Sequence, residues 1–141
     1  MKLCSACLLG VRCRYDGQSK LNPKVIALLK KEVLIPVCPE QLGGLPTPRK
    51  PAEQRGSKVI TQIEDDVTAQ YKKGAEDVLA IAYILGIKEA IFKQRSPACG
   101  VGKIYDGNFS ERVIKGDGIT TALLKKNGIS VISEEDLPEE E

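Results

Sequence analysis

Val33-Leu34-Ile35-Pro36-Val37-Cys38-Pro39-Glu40 is a continuous apolar run that stops on a Cys-Pro-Glu turn. An apolar run of this length without alternation reads as a strand covered on both faces, the habit of parallel sheets. Three other short runs repeat the pattern: Lys2-Leu3-Cys4-Ser5-Ala6, Ala90-Ile91-Phe92-Lys93 and Ile129-Ser130-Val131-Ile132. Helical patterns lie between them. Asn22-Pro23 is an N-cap followed by proline at the first helical position, and Val25, Ile26, Leu28 and Leu29 follow. Asp66 can cap a longer helix, in which Val67, Tyr71, Ala75, Val78, Ala82 and Leu85 recur on one face and Gly86 closes the end. A third helix spans about 118–127, with Leu123 and Leu124 inward and Gly128 as its stop.

The alternation of strands and helices predicts an α/β fold. The pattern is doubly wound, in one domain over residues 1–133, with a four-stranded parallel sheet in the order 2-1-3-4 and helices on both faces. The segment Pro39 to Asp65, with Gly43, Gly44, Pro46, Pro48 and Pro51, is expected to be a long functional loop, with a small hairpin near Lys58 to Ile63. Residues 134–141 are expected to be an acidic, flexible tail.

Composition narrows the function. The net charge is only +2, aromatics are 4% and Trp is absent, which argues against a DNA or RNA partner. No apolar stretch approaches the ~20 residues of a membrane span, and no secretory leader is evident, so the expected location is the cytoplasm. Five cysteines in a reducing compartment suggest ligands or catalysts rather than disulfides. The chain has no His, which removes Ser-His-Asp and Cys-His catalysis and every His-containing metal site.

Cys7, Cys38 and Cys99 each follow a predicted strand. In open parallel sheets, ligands bind outside the carboxyl ends of the strands, at the switch in strand order. Three cysteines distant in sequence are therefore expected in one crevice, where thiolates suit a soft metal or an iron–sulfur cluster. Three protein ligands leave one iron of a four-iron cluster open as a Lewis acid. Cys4, inside the first strand, is expected to be a core residue despite its Cys-x-x-Cys spacing to Cys7. Cys13 reads either as a fourth ligand or as a loop residue.

Glu40, two residues past Cys38, is a candidate general acid or base. Ser96 precedes Pro97, which extends its backbone and turns its hydroxyl into the loop. Arg14, Arg49 and Lys103 are candidate holders of an anionic substrate group, and Gly100 and Gly102 offer exposed amides for the same purpose.

Ser5-Ala6-Cys7-Leu8-Leu9-Gly10, Arg14-Tyr15-Asp16-Gly17, Cys38-Pro39-Glu40, Gly43-Gly44-Leu45-Pro46-Thr47-Pro48-Arg49, Asp66-Val67-Thr68, Ser96-Pro97-Ala98-Cys99-Gly100 and Ile104-Tyr105-Asp106-Gly107 together resemble the thiouracil desulfidases, the domain-of-unknown-function 523 family. The resemblance spans nearly the whole chain. It implies a single Rossmann-like domain with a four-iron, four-sulfur cluster on Cys7, Cys38 and Cys99, with Glu40 as acid–base residue and Ser96 as assisting hydroxyl. It also implies hydrolytic, non-redox removal of sulfur from thiouracil or a thiolated uridine nucleotide. Ala98 departs from the family's more usual Ser-Pro-Ser-Cys-Gly. Two other readings compete with it: a non-enzymatic zinc module on Cys7, Cys13, Cys38 and Cys99, and a thiol-based redox or sulfur-transfer protein using Cys99.

Overall fold

The computed structural model describes residues 1–138. Four parallel strands form the central sheet: β1 (Lys2–Ser5), β2 (Leu34–Val37), β5 (Glu89–Phe92) and β8 (Ser130–Ser133), in the spatial order β2-β1-β5-β8. The expected label 2-1-3-4 is replaced by this one because two hairpins fall between the sheet strands in sequence. These are β3 (Ala52–Arg55) with β4 (Lys58–Thr61), and β6 (Lys103–Tyr105) with β7 (Val113–Lys115). Register is continuous across the sheet: Ser5 lies beside Val37, Cys4 beside Ile91, and Phe92 beside Ser133.

Strand periodicity divides the core between the two faces of the sheet. Leu3, Val37, Ala90, Phe92 and Val131 point to one face, where they pack with Tyr71, Val78 and Ala82 of α3 (Thr68–Leu85) and Leu124 of α4 (Ile119–Lys126). Cys4, Leu34 and Ile91 point to the other, where they pack with Leu8 and with Val25 of α1 (Pro23–Leu28). Cys4 is thus the buried core residue that its mid-strand position predicts.

Helix ends follow local chemistry. Asn22 Oδ1 accepts from the amides of Lys24 and Val25, at 3.0 and 3.2 Å, and Pro23 opens α1. α3 starts later than expected, with Val67 rather than Asp66 as its N-cap, because the Asp66 Oδ1 accepts from the Thr68 amide at 2.9 Å from one residue further out. Gly86 ends the helix at a φ of 66°, in the left-handed region that glycine adopts readily. Leu85, expected on the inner face of α3, is exposed, because the helix ends at that turn.

The long loop is more ordered than expected. Its start is a one-turn helix, α2 (Pro39–Leu42), and its middle is the β3–β4 hairpin, longer on its amino side than the expected turn. The acidic segment expected to begin a flexible tail forms a 3₁₀ turn at Glu134–Asp136, entered through Ser133, whose hydroxyl accepts from the Glu135 amide. Glu134 accepts from the Gln94 amide and pairs with Lys93, and Glu135 pairs with Arg95. Residues 139–141 of that expected tail lie outside the described residues. No helix among the described residues is long and apolar enough to cross a membrane.

Candidate active site

Each of the three adjacent strands β2, β1 and β5 hands the chain to a cysteine beyond its carboxyl end. β1 runs straight into a 3₁₀ turn, Ala6–Leu9, which contains Cys7 and closes on Gly10. β2 ends at Val37, and the next residue, Cys38, is the N-cap of α2, with Pro39 supplying the first helical position. β5 leads into the loop Lys93-Gln94-Arg95-Ser96-Pro97-Ala98-Cys99. Cys7, Cys38 and Cys99 all line one cavity of about 620 Å³, and Cys13 joins them on its wall. That volume lies within the roughly 300–1,000 Å³ of small-molecule sites.

The thiols differ in their surroundings. Cys13 is in side-chain contact with both Cys38 and Cys7. Contact with Cys38 lowers its pKa, but contact with Cys7 and burial prevail and push it up to about 11. Cys38 is held protonated by its contact with Cys13, by burial and by the nearby Glu40 carboxylate, and its Sγ faces the Cys13 carbonyl at 3.8 Å. Burial likewise raises Cys99, against the opposing hydrogen bonds of Ser5 and Ser96. All five cysteines are free thiols. Among the described residues, no three of Cys, Asp or Glu are gathered closely enough around one point to hold a single metal ion. The sulfurs instead stand around a cavity. Soft thiols lining one cavity fit an iron–sulfur cluster, which presents several irons to its ligands.

Glu40, on α2, lies on the same wall. Its Oε1 accepts from the Tyr71 hydroxyl at 3.0 Å, and its Oε2 accepts from Nη2 of Arg49. Ser96 also lines the cavity, where its Oγ accepts from the amides of Ala98 and Cys99, each at 3.1 Å. This shapes the turn that presents Cys99, and the same hydroxyl hydrogen-bonds to the Cys99 sulfur. Arg14 lines the cavity, with its guanidinium 5.5 Å from the centre of the Tyr15 ring.

The other sequence candidates are engaged within the protein or lie off the cavity. Arg49 lines the cavity, but its guanidinium is engaged with Glu40, the Cys13 carbonyl, the Pro46 carbonyl and Thr47. Gly100 is a packing glycine. Its amide donates to the Ser96 carbonyl, and a Cβ there would sit 2.5 Å from the Lys103 carbonyl oxygen. The Gly102 amide is taken by Asp117. Lys103 is largely exposed, with Glu135 as its ion-pair neighbour. Sequence reasoning missed Lys20, Lys50, Lys93 and Arg95, which also line the cavity. Lys93 and Arg95 were discoverable, since they directly follow a sheet strand at its carboxyl end. It also missed Tyr71, whose helical spacing marked it only as core.

The architecture has close counterparts. The chain is similar to the YbbK protein of Bacillus subtilis (strain 168), with 42% identity over 147 residues and 97% of each chain covered. It is similar to the solved structure of the 4Fe-4S-dependent thiouracil desulfidase TudS, with 47% identity and a TM-score of 0.92 over 97% of this chain and 92% of that one. The model of the 2-thiouracil desulfurase family matches residues 3–136. With the match running from the first sheet strand to the turn after the last, the chain belongs to the 2-thiouracil desulfurase family.

Proposed function

We propose that this protein is an iron–sulfur-dependent desulfidase, acting on thiouracil or a thiolated uridine nucleotide within a single Rossmann-like domain over residues 1–133. The reaction is a hydrolysis. Water adds at the thiocarbonyl carbon, the carbon–sulfur bond breaks, and the products are the oxo base and hydrogen sulfide, with no change in redox state. The observation that carries the reading is the placement of Cys7, Cys38, Cys99 and Glu40 on one cavity wall at the carboxyl end of the sheet.

Cys7, Cys38 and Cys99 would hold a four-iron, four-sulfur cluster. When bound, such a group supplies a soft Lewis acid, at an iron without a protein ligand, that favours sulfur as its partner. Glu40 takes the proton from the attacking water, because no His is present to do so and its carboxylate lies on the cavity wall. The Ser96 hydroxyl lines the cavity beside Cys99 and is the assisting hydroxyl, passing its hydrogen bond from the Cys99 sulfur to the substrate when that sulfur is taken up by the cluster. Arg14, which lines the cavity and pairs with Asp16 at 3.8 Å, is the sequence-identified cation that would meet an anionic substrate group. An oxygen-sensitive centre on free thiols fits a reducing cytoplasm.

The test is anaerobic purification and reconstitution, with iron, sulfide and zinc measured per chain, followed by incubation with 2-thiouracil. Iron and sulfide near four per chain, with equal amounts of uracil and hydrogen sulfide formed, are expected for such a cluster. Stoichiometric zinc without iron would overturn the reading.

A further inference from the structure

Arg49 and Tyr71 make contacts that neither packing nor substrate binding accounts for. Arg49 is a guanidinium almost removed from water, its side chain 5% exposed. Its Nη2 donates to Glu40 and to the Cys13 carbonyl at 2.8 Å, and its Nη1 donates to the Pro46 carbonyl and Thr47 Oγ1 at 3.2 and 3.0 Å. Its amide donates to the Tyr15 carbonyl at 2.9 Å. A side chain so engaged is not free to capture an anion from solution. Tyr71 buries its ring in the core under the sheet and spends its hydroxyl on Glu40.

We propose that Arg49 and Tyr71 are positioning residues that clamp the Glu40 carboxylate for proton transfer. The assignment rests on the desulfidase reading above. The two donors come from separate elements, the proline-rich loop and α3, and engage different oxygens of the carboxylate, which itself sits on α2. Two donors on two oxygens fix both the position of the carboxylate and the plane of its oxygens. Each oxygen keeps a second acceptor site, so the clamped group can still receive a proton from water. Misplacement of a reacting group by about 1 Å can cost on the order of a hundredfold in rate, so such fixing matters.

The α2–α3 contact is built to the same end. Gly43, at the end of α2, packs against the Gln70 carbonyl, and Gly74 of α3 packs against the Pro39 carbonyl, with room for no Cβ at either position. Residues 39 and 70 adjoin Glu40 and Tyr71. The backbones that carry the two hydrogen-bonding side chains are therefore locked at contact distance.

The experiment is a double-mutant cycle of Tyr71→Phe and Glu40→Gln in reconstituted holoenzyme, with iron content, kcat and KM measured on 2-thiouracil. Tyr71→Phe keeps the ring and deletes one hydroxyl. It is expected to lower kcat about tenfold, as loss of an orienting partner typically does, with iron content unchanged and KM within about twofold. In the Glu40→Gln background the same change is expected to add nothing. An equal fold-loss in both backgrounds, or a loss seen in KM alone, overturns the proposal. Infrared difference spectra give a second readout that needs no turnover. The carboxylate bands that vanish in Glu40→Gln should shift in Tyr71→Phe and in Arg49→Lys, and unchanged bands overturn the proposal. Holoenzyme that releases no sulfide from 2-thiouracil while those bands do shift would count against the desulfidase reading instead.

Discussion

At the scale of single residues, position relative to a strand end separates chemistry from packing. Cys4 lies beside Pro36 on the neighbouring strand, and Cys38 follows only two residues later, yet their surroundings differ. Cys4 is fully buried in the core, and burial pushes its pKa up to about 12, with Glu134 adding to the effect. Cys38 is one step beyond its strand and faces the cavity. Cys4→Ala is therefore expected to leave iron per chain at the wild-type level, at a cost of about 1 kcal/mol for the small cavity left behind. Cys38→Ala is expected to abolish iron binding. Equal iron loss in both variants would sink the ligand assignment. Glu40→Gln is expected to retain iron but lose about 10²–10⁴-fold in kcat, the usual contribution of a general base, read from sulfide release at matched iron content. The placement of Glu40 on the cavity was legible because it follows a strand-end cysteine. That of Tyr71 was not, because its spacing carries a packing signal that masks the use of its hydroxyl.

At the scale of elements, the strands of the main sheet and α3 were readable because burial on both faces or on one stripe leaves a periodic apolar trace. The β6–β7 hairpin left little such trace. β7 is exposed along its whole length, and only Ile104 of β6 is buried, so neither shows an alternating core face. In α2 a single turn sits behind a proline and before two glycines, a composition that reads as loop. Its partner contact reveals why those residues are there. Gly74 in mid-helix is a poor helix former, and replacing such a glycine by Ala on a free helix surface stabilises by about 1 kcal/mol. Here the sign should reverse. A Cβ on Gly74 would meet the Pro39 carbonyl oxygen at 1.9 Å, and that backbone atom can move only by shifting α2. Gly74→Ala is expected to destabilise the fold by about 1–3 kcal/mol, seen as a lower urea midpoint at unchanged slope, and to reduce kcat through displacement of Glu40. A midpoint that rises would show that α2 and α3 are not in backbone contact.

At the scale of the molecule, the site stands at the junction of the two cores. Cys7 and Cys38 pack with the core on the α1 side of the sheet, whereas Cys99 packs with the core on the α3–α4 side. A group held by all three would fasten the ends of three strands and both faces together. Those ligands are separated by 31 and 61 residues of chain, loops whose closure is entropically costly in the unfolded state and which a bound group would keep closed only in the native one. Loading should therefore stabilise the whole domain rather than the rim of the cavity alone. Binding at a hundredfold excess over Kd corresponds to about 2.7 kcal/mol, or roughly 5–10 °C in Tm for a domain of this size. Anaerobic calorimetry of iron-depleted and reconstituted protein is expected to show that rise, and chelation of the iron should reverse it. Cys4→Ala should keep the increment on its own lower baseline, and Cys38→Ala should lose it. Full iron content with no change in Tm would mean that the iron is held by one loop alone, and the three-strand assignment of Cys7, Cys38 and Cys99 would fail with it.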